Sequence, residues 1–251
     1  MKKRLLILVT INFVSLISVV QLPQFQPKPV LELVKKYLPD NPFIVDAGAY
    51  EGHESVLMAQ LWPKGCVFSF EPVPEIFNIL IRVTDKYSNI KRFPIALSSS
   101  NGSAKFYLSE EPEIPNIPSQ SGSLRPPKEH LNYSGTCFKR QISVPTITFD
   151  RWAEQNEIEK IDFLWLDMQG TELDMLKASP KILKTVKAIF TEVEFVEAYE
   201  GQALYKEIKS WLESEGFTMI AKDFGNPLDR NNGGSVTWFG NALFVRKELI
   251  N

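Results

Sequence analysis

"FIVDAGAYEG", residues 43–52, is the stretch on which the fold turns. Phe43, Ile44 and Val45 form an apolar run that ends on a carboxylate, Asp46, and small residues follow at Ala47, Gly48, Ala49 and Gly52. A short apolar run bounded by turn residues reads as a buried strand, here Phe43–Ala47. Residues 53–62 then have helical spacing and stop at Pro63 and Gly65. Two causes would clear side chains from the turn: close approach of a ligand to the backbone, or close packing of the turn itself.

The pattern repeats outward from this unit. Cys66–Phe70 reads as a second strand, and residues 75–87 place Ile76, Phe77, Leu80, Val83 and Tyr87 on one helical face. Residues 90–97 read as a third strand, 161–167 as a fourth and Ala188–Glu194 as a fifth. Helices are expected over 150–156, 172–178 and 202–215, the last closed by Gly216. Phe217–Lys222 and 242–246 read as a closing antiparallel hairpin, and 30–38 as a leading helix after the prolines 23, 27 and 29. Strands alternating with helices imply an α/β sheet, mostly parallel, with helices on both faces. Residues 102–108 and 144–149 alternate like additional strands. Between them, 109–135 carries Pro112, Pro115, Pro118, Pro126, Pro127 and the run Ser119-Gln-Ser-Gly-Ser123. A loop of that length inside one domain reads as a lid on the substrate side or a flexible segment.

A net charge of -2 argues against a nucleic-acid binder. Cys66 and Cys137 make no disulfide framework, and with His53 and His130 they have no metal-ligand spacing, so no metal is expected. The first 27 residues differ from the rest: Lys2, Lys3 and Arg4 precede an apolar stretch over 5–22, which reads as a signal or membrane anchor. It is marginal against the ~20 residues of a spanning helix. If retained, it gives membrane association; if cleaved, a secretory or periplasmic protein. The globular domain is then 28–251.

In open parallel sheets ligands bind beyond the carboxyl ends of the strands, where the strand order reverses. Those ends carry Asp46-Ala47-Gly48-Ala49, Glu71, Ala96-Leu97, Asp167-Met-Gln169-Gly170 with Glu172, and Glu192-Val-Glu194. Carboxylates gathered along one rim cost stability unless a ligand uses them. A dinucleotide site would show Gly-x-Gly-x-x-Gly, whereas here the spacing is Gly48-x-x-x-Gly52. Asp46 suits a ligand bearing ammonium or positive sulfur, and Glu71, 25 residues on at the second strand's tip, suits a ribose diol. Amino group, ribose and no pyrophosphate describe S-adenosylmethionine.

The blocks "FIVDAGAYEGHES", "VFSFEPVPEIF", "PIALSSSNGSAKFYL", "VPTITFDRW" and "IDFLWLDMQGTELDMLKAS" resemble the FkbM-type S-adenosylmethionine-dependent methyltransferases over about residues 41–247. The resemblance implies a class I methyltransferase Rossmann-like sheet of seven strands and methylation of a hydroxyl oxygen on a sugar, glycan or small metabolite. It assigns Asp46, Gly48, Ala49, Glu71, Ala96 and Leu97 to the cofactor, and Asp167, backed by Glu172 and Glu194, to the acceptor hydroxyl. Two positions depart from the family: Trp165 where lysine is usual, and Gln169 where glutamate is common. They support an alternative, a membrane-tethered cofactor-binding domain of this fold without turnover. Cofactor supply favours the cytoplasmic face.

Overall fold

The computed structural model describes residues 19–24, 26–114, 116–225 and 237–250. In chain order its strands are β1 (Val20–Gln21), β2 (Phe43–Ala47), β3 (Cys66–Phe70), β4 (Ile90–Phe93), β5 (Ala96–Leu97), β6 (Gly102–Glu110), β7 (Cys137–Ile147), β8 (Phe163–Leu166), β9 (Ala188–Glu194), β10 (Phe217–Lys222) and β11 (Phe239–Arg246). The helices are α1 (Pro27–Val34), α2 (His53–Leu61), α3 (Pro74–Thr84), α4 (His130–Tyr133), α5 (Phe149–Gln155), α6 (Glu172–Lys177), α7 (Pro180–Leu183) and α8 (Tyr205–Ser214).

The main sheet has the order β1-β10-β11-β9-β8-β2-β3-β4. From β9 to β4 every pairing is parallel, and β11 runs antiparallel between β9 and β10. Successive side chains in a strand point to opposite faces, and both faces here are covered. Ile44, Phe163, Trp165 and Phe190 join Val30, Val34, Met58 and Trp62 in one core. Val45, Leu164, Leu166 and Ile189 join Trp152, Leu176, Ile208 and Leu212 in the other. The Trp152 indole meets Phe68 and Phe70 edge-on, with centroids 5.1 and 5.0 Å away.

The sheet differs from the sequence reading in three places. Residues 90–97 are two strands: β4 ends the main sheet, whereas β5 leaves it to pair with β7 in a second sheet of order β5-β7-β6. Pro94 lies between them and has no N–H for a ladder. Residues 109–135 begin as the end of β6 and contain α4, and ladder contacts Tyr107–Ser123 and Glu110–Pro118 fold the stretch back on the small sheet. The boundary at residue 28 also shifts. β1 pairs with β10, the Leu22 N–H donates to the Lys222 carbonyl at 2.7 Å, and Leu22 is buried.

The expected signal or anchor thus lies largely in 1–18, outside the described residues. Among the described residues no helix is long and apolar enough to cross a membrane. A chain lacking residues 1–18 is the reference for the effect of β1. Removing 1–26 deletes β1 and exposes the Leu22 site, at a cost of about 1.5–3 kcal/mol. That corresponds to a fall of about 5 °C for a chain this size, which a thermal melt of both truncations measures.

Candidate active site

The strand order reverses between β2 and β8, and the residues after both strands meet there. The Asp167 N–H donates to the Ala47 carbonyl at 3.0 Å, which fixes Gly48 beside Asp167. Gly48 and Ala49 also donate their N–H groups to the Phe70 carbonyl, at 3.1 and 2.9 Å. The turn is therefore held from both sides. A Cβ on Gly48 would lie 1.8 Å from the Asp167 carbonyl oxygen, and its φ is +83°. Close packing alone thus requires this glycine.

Two cavities share Gly48, Tyr50, Gln120 and Asp167. The inner one is a small cavity of about 60 Å³ between the ends of β2 and β3 and the small sheet. Glu71, Ala96 and Leu97 line it, together with the apolar Ile76, Ile95, Phe106 and Leu108. The outer cavity is a wider cleft reached by Asp46, Trp165, Gln169 and Glu192.

Glu71 is buried and accepts from the Val73 N–H at 2.7 Å and the Tyr50 N–H at 3.1 Å. Burial raises its pKa to about 8 against the pull of those two bonds. A carboxylate has about four lone-pair sites, so two are left for hydroxyl donors facing the inner cavity. A ribose fits that remainder, and the apolar wall fits an adenine. Asp46 is buried beneath the turn, accepts from the Ser55 hydroxyl, and has a pKa raised by burial to about 8. Ala49 lines neither cavity.

Asp167 reaches the open cleft, and the Gln169 amide clamps it to β9: Nε2 donates to Asp167 Oδ1 and to Glu192 Oε2, each at 2.7 Å. The Tyr199 hydroxyl stands 2.6 Å from Gln169 Oε1 and 2.8 Å from the Ser121 carbonyl, with one proton to share between them. This network sets the orientation of the amide, because its nitrogen faces two carboxylates. Burial, then the charges of Asp167 and Glu194, holds Glu192 well above the ordinary carboxylate range. Asp167 is also raised, by desolvation and by Glu54, against the Gln169 bond. The bond between the two carboxyls lowers Asp167 and raises Glu192, which favours the proton on Glu192.

Glu172 and Glu194, expected behind Asp167, line neither cavity. Glu172 turns back into its own loop and accepts from the N–H groups of Met168 at 2.7 Å and Gly170 at 3.4 Å, which ties the turn before α6. Glu194 shares its face of β9 with Glu192 but is buried two residues further along. Residues 109–135 roof the site: Ser123 Oγ donates to the Gln169 carbonyl at 2.7 Å, and Arg125 pairs with Asp174 of α6. Sequence reasoning missed Tyr50, whose φ of 46° turns its N–H onto Glu71. It also missed Tyr199, which only the folded turn after β9 brings to Gln169.

A mostly parallel sheet with an antiparallel hairpin toward one edge, a buried carboxylate after its second core strand and an aspartate at the reversal point are the features of a class I S-adenosylmethionine-dependent methyltransferase. The chain belongs to the FkbM methyltransferase family, whose domain, described as "Methyltransferase FkbM domain", matches residues 46–219. It is 33% identical over 196 residues to the 2-O-methyltransferase NoeI of Sinorhizobium fredii, covering 78% of this chain and 79% of that one. It is 24% identical over 165 residues to the hexuronic acid methyltransferase AglP of Haloferax volcanii, covering 65% and 61%. A solved FkbM methyltransferase from Methylobacillus flagellatus superposes with a TM-score of 0.48 at 13% identity, covering 82% of this chain and 44% of that one.

Proposed function

We propose that this chain transfers the methyl group of S-adenosylmethionine to a hydroxyl oxygen of a sugar, glycan or other small hydroxylated acceptor. The observation that carries the reading is the meeting of two cavities at Asp167, one lined by Glu71 and apolar side chains and the other by carboxylates and aromatic rings. S-adenosylmethionine supplies an electrophilic methyl carbon on positive sulfur. Asp167 takes the acceptor's hydroxyl proton as the oxygen–carbon bond forms and the sulfur–carbon bond breaks, its electron pair left on sulfur. Gln169 and Glu192 hold the Asp167 carboxylate in place, and the 109–135 roof limits water. The names of NoeI and AglP support sugar acceptors. The comparisons give the reading without turnover no support. Residues 5–18 support interfacial contact on the cytoplasmic side, where the cofactor is made.

Methyl transfer from labelled cofactor to a glycan fraction tests the activity; cofactor binding without any transfer would overturn it. Glu71 gives a second test with a definite sign. At pH 7 a carboxyl with a pKa near 8 is largely protonated. Ribose hydroxyls donating to it favour the ionised form, so binding releases a proton and affinity rises between pH 7 and 8. Glu71→Gln is expected to abolish that pH dependence and to weaken binding about ten- to a hundredfold, on ~1.5–3 kcal/mol for bonds to a charged group. Titration calorimetry in two buffers of different ionisation heat measures both; unaltered affinity would return Glu71 to a loop tie.

A further inference from the structure

Tyr199 touches no reacting atom in the transfer described above, yet it stands where it can govern the base. Its side chain is buried on the turn after β9. A ladder contact with Pro127, and N–H bonds from Lys128 and His130 to the Ala198 carbonyl at 2.7 and 3.1 Å, fix that turn to the roof. The ring packs against His130 and Phe138, with centroids 5.3 and 6.3 Å away. Burial, then the charges of Glu192 and Glu194, holds the phenol well above its ordinary range, so the hydroxyl keeps its proton at any working pH.

That one proton faces two acceptors, Gln169 Oε1 at 2.6 Å and the Ser121 carbonyl of the roof at 2.8 Å. The two ends of a glutamine amide have the same shape, so only their partners decide which way it points. As it lies, Nε2 donates to Asp167 Oδ1 and Glu192 Oε2. Reversed, Oε1 would face Asp167, withdraw that bond, and offer Glu192 a competing acceptor for its proton. The Gln169 backbone does not choose between the two: its φ is +52°, and its carbonyl accepts from Ser123 Oγ in either case. A donor held on Oε1 does choose, because the reversed amide would turn its own N–H groups toward that hydroxyl.

We propose that Tyr199 is a positioning residue for methyl transfer: its hydroxyl, shared with the roof at Ser121, holds the Gln169 amide so that the nitrogen stays on Asp167 and aims that carboxylate at the acceptor. This role rests on the methyl-transfer reading above, with Asp167 as its base, and deepens it. It is tested in the full chain with Tyr199→Phe, which keeps the buried ring and removes the donor. The probes are labelled S-adenosylmethionine and the glycan fraction that accepts methyl from the native chain, at a saturating amount. Turnover is expected to fall about tenfold, with cofactor affinity and melting temperature near native. Loss of the N–H bond to Asp167 disfavours its ionised form, so the acidic limb of the rate should move to higher pH by about half a unit or more. Glu54 of α2, Asp46 of β2, Glu172 of α6 and Glu192 and Glu194 of β9 also face Asp167, and all are retained, so the movement reports the lost bond. Gln169→Met, which removes the amide, should move the limb the same way, and adding Tyr199→Phe to it should change neither rate nor limb further. A folded Tyr199→Phe chain with native turnover overturns the role, as does slower turnover on an unmoved limb, which a packing defect alone would give. An unmoved limb in Gln169→Met, or additive effects in the double variant, overturns the route through the amide whether or not Tyr199→Phe folds. A native chain that binds cofactor and transfers methyl to no glycan fraction removes the underlying reading, and the role of Tyr199 with it.

Discussion

Asp167→Asn is expected to bind S-adenosylmethionine about as tightly as the native chain and to turn over ~10²-fold more slowly, or slower still. The substitution keeps size and shape and removes the charge and the proton acceptor. Asp167 stands where both cavities meet, and its carboxyl bonds Gln169 and the paired Glu192, not the backbone of α6. Thr171 occupies the cap position of that helix. A purely structural aspartate would therefore tolerate asparagine in both assays. The pH profile adds a second reading. A base works in its ionised form, and its pKa here is raised above 3.8 by desolvation and Glu54. The rate should rise with pH through an apparent value above that of an ordinary aspartate, and this limb should vanish in Asp167→Asn. Methyl-transfer rates, cofactor titration and a melt of one variant decide the matter; native turnover with an intact acidic limb would move the base to Glu192.

Glu192 is the replacement because of how strands present side chains, and this shows where sequence legibility stopped. Ala188–Glu194, Phe217–Lys222 and Phe43–Ala47 were readable to the residue, since apolar runs buried on both faces and bounded by turns have few other readings. The gathering of Asp46, Gly48, Glu71 and Asp167 was legible too, because strand ends in a parallel sheet share one edge. Alternation puts Glu192 and Glu194 on the same face, however, and no local signal says which reaches the cleft. Packing decides it, through a Gln169 amide that needs two acceptors. The division of 90–97 between two sheets, and β1 at the far edge, depend on partners distant in sequence. The departure at Gln169 was visible, but its meaning was not: a neutral amide between two carboxylates replaces what a glutamate would make a third like charge. Trp165, the other departure, lies 4.3 Å from Phe190 and serves as both core and cleft floor.

Gly48→Ala is expected to damage the fold before it affects the cofactor. The residue has φ +83°, where a Cβ costs about 1–2 kcal/mol. The larger cost is steric. The added carbon would lie 1.8 Å from the Asp167 carbonyl oxygen and 2.8 Å from its carbon, both backbone atoms at the end of β8. A flexible side chain would swing aside, but this carbonyl is fixed by the pairing of Ala47 with Leu166 and by the Asp167 N–H on Ala47. Relief requires β2 and β8 to part at the reversal point, or the Gly48 and Ala49 N–H groups to leave the Phe70 carbonyl. Torsion and overpacking together amount to roughly 3–5 kcal/mol, a large share of the ~5–15 kcal/mol that stabilises a typical domain. The melting temperature should fall by on the order of 10 °C, or the chain should fail to fold. Gly102→Ala is the control: φ is +133° there, but nothing lies within 4 Å of the added carbon, so only a torsional cost of about 1 kcal/mol is expected. A Gly48→Ala chain that melts with the native protein yet binds S-adenosylmethionine poorly would show that the turn was cleared for the ligand. A folding defect with a near-native Gly102→Ala would show that it was cleared so that two strand ends could touch, with the cofactor seated beside the contact.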